Sequence, residues 1–131
     1  MSETYTITEL AEEFQVTPRT IRFYEDKELL QPKRNGLNRV YNRRDRARLK
    51  LILRGKRLGF RLDDIKEMLD LYRHGDGQVE QLRVTLGKSR ERIEVLERQR
   101  RDIDQVLREL EEGCAAIEAR LRDKGVAADE V

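Results

Sequence analysis

The sequence predicts a mostly α-helical protein: a small amino-terminal helical domain with a short β-hairpin, followed by a long helix of a coiled coil. Three patterns lead to this prediction. Apolar residues recur at helical spacing in short segments before residue 75, Asn35-Gly36 lies between short segments, and a heptad repeat begins at Val79. With 131 residues, 37% hydrophobic and 41% charged, the chain fits one small domain plus an extended element.

The first two helices are predicted from their capping residues. Thr6 followed three residues later by Glu9 is a capping-box pattern, so a short helix is expected just after Thr6. Thr17 can cap the next helix through its hydroxyl, and Pro18 suits the first helical position, where its missing N–H costs nothing. Two short helices so close together predict a helix-turn-helix, with its second helix over residues 18–27.

The second helix is expected to have one buried side and one cationic side. On a helical wheel, Ile21 and Tyr24 fall on one side. The opposite arc carries Arg19, Arg22 and Phe23. The two arginines are therefore expected to point into solvent.

A basic stretch follows this helix. Between residues 33 and 61, twelve Lys or Arg stand against one acid, Asp45, so a polyanion is the expected partner. Asn35-Gly36 predicts a hairpin, because both residues tolerate positive φ. Strand alternation after it puts Arg39 and Tyr41 on one face and Val40 on the other. This hairpin is interpreted as a basic wing.

Two further helices complete the predicted domain. Asn42 with Asp45 indicates another amino-terminal cap, and Gly59 is the expected stop of that helix. A fourth amphipathic helix is expected to close at His74-Gly75. Its apolar residues are Leu62, Ile65, Met68, Leu69 and Tyr72.

From Val79 the apolar residues follow a heptad repeat with few exceptions. The seam positions a and d are apolar except at Ser89 and Arg100, with Cys114 counted as apolar. A seam this long favours a coiled coil with a second chain over a helix buried in its own domain. The predicted dimerisation residues are Val79, Leu82, Leu86, Ile93, Leu96, Ile103, Leu107 and Leu110.

Residues 4–72 resemble the amino-terminal domain of the MerR family of transcription regulators. The motifs that carry the likeness are residues 5–11 (YTITELA), 22–26 (RFYED), 29–32 with its two leucines and proline, 39–41 (RVY) and 58–60 (LGF). The family uses a winged helix-turn-helix on each subunit of a homodimer joined by an antiparallel coiled coil. The resemblance implies the same architecture here, bound to a pseudo-palindromic promoter.

The resemblance also implies a mechanism. Family members grip an over-long promoter spacer and, with an effector, bend and untwist it so that RNA polymerase engages both promoter elements. Repression by the effector-free protein, or simple repression throughout, is the alternative. Residues 48–60 are similar to a subgroup that controls branched-chain amino acid and fatty acid breakdown genes, which implies an acyl-coenzyme A effector. Arg61-Leu62 departs from the polar cap expected after this stretch.

The expected DNA contacts fall into two sets. The recognition-helix set comprises Thr17, Arg19, Thr20, Arg22, Phe23 and Tyr24, with the ring of Tyr24 in the core and its hydroxyl at a phosphate. The set that matches backbone-contact positions of the family comprises Arg39, Tyr41, Arg43 and Arg54. A coiled-coil adaptor whose basic head binds nucleic acid nonspecifically is the alternative function.

Arg100 predicts where the dimer helix ends. If an antiparallel overlap covered residues 79–121, Arg100 would face its own symmetry mate, and like charges repel. An overlap ending at 112 brings Arg100 opposite Glu91. The helix is therefore expected to end close to Gly113. The predicted domains are the DNA-binding domain at 1–75, the dimerisation helix at 76–112, and a short helix (residues 115–121) with a disordered tail at 113–131, a possible effector region.

The sequence lacks the signatures of other protein classes. Phosphate-binding glycine loops, metal-ligand clusters and nucleophile triads are missing, so neither an enzyme nor a metal site or cofactor is expected. Cys114 occupies a seam position, where a small core residue is the first interpretation and a sensing role the second. His74 is interpreted as a helix cap. A cytoplasmic location is expected, without export or membrane insertion.

Overall fold

The computed structural model describes residues 3–71 and 77–127. It divides into two units, Met1–Lys88 and Ser89–Val131, with the boundary inside the last helix. The helices are α1 (Ile7–Phe14), α2 (Pro18–Asp26), α3 (Arg43–Leu58), α4 (Leu62–Asp70) and α5 (Gly77–Asp123). The strands are β1 (Thr4–Tyr5), β2 (Lys33–Asn35) and β3 (Asn38–Asn42). The predicted fold class, mostly helical with a small wing and a long last helix, is confirmed.

The helices of the first unit begin where their capping residues predicted. The Thr6 hydroxyl accepts the backbone N–H of Glu9 at 3.1 Å, and the Glu9 carboxylate accepts the N–H of Thr6 at 2.8 Å. This is a complete capping box, and Asn42 with Asp45 forms a second one at the start of α3. These side chains satisfy N–H groups that have no partner within their helix.

The first two helices end in left-handed residues that are not glycine. Gln15 has φ 55° and Glu28 has φ 63°. After each, a backbone N–H reaches back across the last turn, from Val16 to Ala11 at 3.0 Å and from Leu29 to Tyr24 at 2.9 Å. This bonding pattern is the Schellman motif. It turns the chain sharply between α1 and α2, and again before the wing.

The wing belongs to a three-stranded antiparallel sheet of order β1-β3-β2. The hairpin predicted at Asn35-Gly36 is confirmed: Asn35 pairs with Asn38, and Gly36 has φ 67°. Strand β1 was not predicted. It pairs Tyr5 with Tyr41, which ties the amino-terminal residues to the wing.

The core of the first unit lies between the helices and β3. Its buried apolar residues are Leu10, Ala11, Ile21, Tyr24, Leu29, Leu30, Tyr41, Leu49, Ile52, Ile65 and Leu69. Helices α3 and α4 approach each other at Gly55, where a Cβ would lie 2.8 Å from Cγ1 of Ile65. Gly55 therefore permits the close packing of these two helices.

Polar contacts fix both ends of α4. Its first turn has no side-chain cap, because the capping position is Arg61. Near its other end, Asp70 accepts from Lys66 at 3.1 Å and from the buried Arg48 at 3.3 Å. Burial alone would raise the pKa of Asp70, but the hydrogen bonds and charges of Lys66 and Arg48 outweigh burial and lower it. Arg48 also donates to the carbonyl of Leu29 at 2.9 Å.

The first turns of α5 are bound to α4 within the first unit. Lys88 lies 2.8 Å from a carboxylate oxygen of Asp64 and 3.2 Å from one of Glu67. Gln81 donates to the backbone carbonyl of Met68 at 3.0 Å. The predicted closure of α4 at His74-Gly75 lies outside the described residues.

The expected end of the dimer helix at Gly113 is wrong. Helix α5 runs unbroken over 47 residues, Gly77–Asp123, and includes the segment predicted as a separate helix. One glycine costs only about 1 kcal/mol relative to alanine, and it is followed here by Ala115, Ala116 and other good helix formers. The helix ends instead at Gly125, which has φ 78°. The tail from residue 128, predicted to be disordered, lies outside the described residues.

The close contact at Gly55 makes a prediction about stability. Gly55→Ala is expected to lower the free energy of unfolding by about 1–3 kcal/mol, because the added methyl overpacks a buried contact. Gly87→Ala is the matched control, since it is also helical but has nothing within 4 Å of the added Cβ. That control should be neutral or stabilising by up to about 1 kcal/mol. Urea unfolding of both variants measures the difference, and equal stabilities would contradict the packing described.

Candidate nucleic-acid interface

The core sets the rotation of α2. Ile21 is fully buried and Tyr24 is 5% exposed, while Phe23 on the opposite arc is 45% exposed. Arg19 and Arg22 are exposed as well. The predicted division of this helix into a buried side and a cationic side is confirmed. The structure therefore presents two guanidinium groups and one aromatic ring on a single exposed helix face.

Thr17 and Thr20 organise the turn that begins α2. The Thr17 hydroxyl accepts the backbone N–H of Thr20 at 3.1 Å, and the two hydroxyl oxygens lie 2.9 Å apart. Thr17 is the capping residue of α2, as predicted. Since each hydroxyl already has a partner in the other, their first role is to preorganise the amino-terminal end of the helix.

The exposed ring of Phe23 is held by its neighbours. Its centroid lies 5.9 Å from that of Tyr24, and the Lys27 ammonium lies 5.6 Å from the same centroid. These contacts restrict the ring while leaving nearly half of the residue accessible. An apolar edge of this kind can meet a thymine methyl in the major groove.

Glu25 connects α2 with the wing, a link that the sequence analysis missed. Its carboxylate accepts from Arg39 Nε at 2.5 Å and from Arg34 Nη2 at 2.9 Å. The Glu25 side chain is only 16% exposed. One carboxylate thus spaces the wing from the recognition helix and orients the Arg39 guanidinium. The signal available in the sequence was an acid on the helix just before a strongly basic stretch.

Tyr41 does not lie where the sequence analysis expected it. Its side chain is fully buried, and its hydroxyl has no hydrogen-bond partner. Burial, followed by the nearby charge of Glu25, raises the pKa of Tyr41 to about 12. The expected contact of Tyr41 with the DNA backbone is therefore corrected, because a core side chain does not meet a ligand in this conformation. Alternation along β3 could not show which face the core would cover.

The basic residues of α3 divide into structural and exposed groups. Arg46 pairs with Glu13 of α1, and Arg48 is buried. Arg43, at the first position of α3, and Arg54 are exposed. Burial raises the pKa of Asp45, although its hydrogen bond with Asn42 and the nearby arginines act in the opposite direction. Of the predicted phosphate contacts, Arg43 and Arg54 are thus available to a ligand and Arg39 is partly committed to Glu25.

Other kinds of site were searched in the same residues. Among residues 3–71 and 77–127, no group of three or more His, Cys, Asp or Glu side chains is placed to hold a metal ion. Within those ranges, no helix is both long and apolar enough to span a bilayer. Cys114 is exposed on α5.

This fold and this surface define a helix-turn-helix protein of the transcription-regulator class. Residues 5–71 match the family described as MerR HTH family regulatory protein, and residues 46–113 match a second one described as MerR, DNA binding. Each match covers about half of the chain. The chain belongs to the MerR family of DNA-binding transcriptional regulators.

Individual relatives agree with this assignment. The HTH-type transcriptional regulator ZntR of Escherichia coli K12 is 41% identical over 69 residues, which are 51% of this chain and 49% of that protein. The chain therefore spans about half the length of this curated relative.

Solved structures match most of the chain. A MerR family transcriptional regulator from Bacillus cereus is 25% identical with a TM-score of 0.64, covering 98% of this chain and 87% of that one. HiNmlR, a MerR family regulator lacking the sensor domain and bound to promoter DNA, is 25% identical with a TM-score of 0.60, covering 95% and 92%.

The position of Tyr41 makes a prediction that separates a core role from a DNA contact. Tyr41→Phe is expected to leave DNA affinity unchanged and to stabilise the fold by about 1 kcal/mol, because it removes a buried hydroxyl without a partner. The pKa of Tyr41 is raised from 10.0 to about 12, so the folded protein holds this proton while the unfolded chain loses it. Wild-type stability should therefore fall as the pH rises from 10 to 12.

The measurement is urea unfolding between pH 7 and 12, together with a DNA-binding titration. Tyr5→Phe is the control, since Tyr5 pairs with Tyr41 in the sheet but is only partly buried. A Tyr41→Phe protein that binds DNA several-fold more weakly would restore the phosphate contact that the structure removes.

Proposed function

We propose that this regulator binds a pseudo-palindromic promoter as a homodimer and changes transcription by deforming the DNA between its two half-sites. The observation that carries the proposal is the exposed arc of α2, held against the core on one side and tied to the wing by Glu25. A rigid cationic helix beside a cationic hairpin fits a major groove and the adjacent phosphates.

The base contacts are assigned to the exposed arc. Arg19 and Arg22 can each reach two acceptors on guanine, and Phe23 can contact a thymine methyl. Thr17 and Thr20 shape the end of the helix that approaches the groove. For Tyr24, a phosphate contact through its hydroxyl stays a prediction, since its ring is buried.

The phosphate contacts are assigned to the wing and to α3. Arg43 and Arg54 are exposed, and Arg39 keeps guanidinium nitrogens beyond the Nε that Glu25 binds. Such contacts set the position of the protein on the duplex and carry little sequence information. They are expected to account for most of the salt dependence of binding.

The homodimer is supported by the apolar seam of α5. All eight predicted dimerisation residues are between 44% and 61% exposed in the single chain. They are Val79, Leu82, Leu86, Ile93, Leu96, Ile103, Leu107 and Leu110. A continuous apolar stripe along a helix calls for a second helix to cover it. A two-fold partner would place two recognition helices on two half-sites.

The regulatory step is proposed from the family resemblance. Bending and untwisting a promoter spacer costs elastic energy that protein contacts at both half-sites can offset. RNA polymerase would respond to the altered DNA, without a direct contact to this chain being required. An acyl-coenzyme A or related metabolite stays the predicted effector class, from the likeness of residues 48–60 to one subgroup.

Substitution in the exposed arc tests base recognition. Arg22→Ala and Arg19→Ala are each expected to weaken binding to the preferred promoter about tenfold or more, because one bidentate base contact is worth about 1–3 kcal/mol. Arg108→Ala, an exposed arginine on α5, is the matched control and should bind normally. Competition gel shifts against unrelated DNA give the measurement. Equal losses on specific and unrelated DNA would favour a nonspecific basic head.

Salt titration tests the phosphate contacts. Arg43→Ala and Arg54→Ala are expected to weaken binding to all sequences and to reduce the slope of log affinity against log salt by about 1 each. The measurement is fluorescence anisotropy over a range of salt concentrations. An unchanged slope would remove that arginine from the interface.

A further inference from the structure

The two polar positions of the α5 seam specify how two copies of this helix pair. Ser89 and Arg100 interrupt an otherwise apolar seam over residues 79–110. Building on the homodimer proposed above, we propose that two α5 helices pack antiparallel in the register that places Ser89 of one subunit opposite Arg100 of the partner subunit. By symmetry this contact occurs twice, once on each side of the two-fold axis.

This register matches every paired layer of the seam. In an antiparallel coiled coil an a position lies opposite a d position of the other helix, which permits registers only in steps of one heptad. With Ser89 opposite the partner's Arg100, every remaining layer joins two apolar residues. These layers pair Val79 with the partner's Leu110, Leu82 with the partner's Leu107, Leu86 with the partner's Ile103, and Ile93 with the partner's Leu96.

The charged residues beside the seam agree with the same register. In an antiparallel pair, the e positions of the two helices face each other across the seam. Here Arg83 meets the partner's Asp104, and Arg90 meets the partner's Glu97. Both contacts join opposite charges, and each is repeated by the two-fold axis. Charge complementarity is therefore an observation separate from the pairing of the polar seam residues.

The neighbouring registers fail on both counts. A shift of one heptad in one direction sets Arg100 against the partner's Leu96 and brings Glu97 face to face with its own copy. The opposite shift sets Arg100 against the partner's Leu82 and brings Arg90 against its own copy. Each places a guanidinium between leucines and a like-charge pair at the axis, and both are unfavourable.

The surface of α5 is shaped to receive the central layer. Ile93, Leu96, Glu97 and Arg100 line a shallow notch, and four residues at this spacing form the hole that accepts one side chain of a facing helix. In the proposed register the side chain that enters is Ile93 of the partner subunit. The register also removes the conflict at Arg100 without ending the helix at Gly113, because the paired stretch stops at Leu110.

Disulfide trapping tests the register in the full-length protein. In a Cys114→Ala background, the double variant Ser89→Cys with Arg100→Cys is expected to form a covalent dimer in high yield under mild oxidation. The matched control, Ser89→Cys with Leu107→Cys, brings its two cysteines together only in a neighbouring register and should stay largely unlinked. The single variant Ser89→Cys should also stay unlinked, since it links only in a parallel dimer.

Charge reversal provides a second readout that needs no cysteine. Arg90→Glu or Glu97→Arg alone turns two attractive contacts into repulsive ones and should weaken dimerisation roughly tenfold. The double variant should regain most of the affinity. Arg98→Glu, on the outer face of the same helix, is the control and should change dimerisation by about twofold or less. Sedimentation equilibrium measures all four proteins.

The outcomes separate the register from the dimer itself. A dimer that links through residues 89 and 107, or through neither cysteine pair, overturns the register and leaves the homodimer standing. A dimer in which the double charge reversal restores nothing also overturns it. A chain that sediments as a monomer at all concentrations overturns the homodimer of the proposed function as well.

Discussion

The rotation of helix α2 about its own axis is the constraint on which the rest of the interface depends. Ile21 and Tyr24 are buried against the core with Leu29 and Leu30. Since a helix can present only one stripe to the core, burial of these residues forces the opposite arc into solvent. A slip by one residue would bury an arginine at a large energetic cost. The hydrophobic core therefore decides which side chains are able to reach DNA.

Electrostatics then sets the distance between this helix and the wing. Glu25 binds two arginines of the hairpin, so part of the positive charge of the basic stretch is neutralised within the fold. Arg46 and Arg48 are likewise used to join helices. The charge that remains exposed is concentrated on the outer arc of α2 and on α3. A polyanion would thus meet a shaped surface, whereas a uniform cationic coat would carry no orientation.

Helix α5 shows how a few unfavourable residues can select one arrangement. Gly113 weakens the helix without ending it. Ser89 and Arg100 weaken the apolar seam, and in doing so they make the neighbouring registers costly. Polar residues in a coiled-coil seam commonly specify register at some expense of stability. The same reasoning explains why an apolar seam alone would leave several alignments nearly equal in energy.

Local patterns in the sequence were sufficient for every helix start in the first unit, for the hairpin at Asn35-Gly36 and for the sidedness of α2. These features depend on neighbours three or four residues apart, whose chemistry can be read directly. Strand β1, the link through Glu25 and the buried positions of Tyr41 and Arg48 depend on contacts between distant segments. The end of α5 was missed because a glycine signals a stop only when the following residues do not favour helix. Tertiary packing alone decided which of the many arginines build the fold and which remain exposed, since the same side chain serves either purpose.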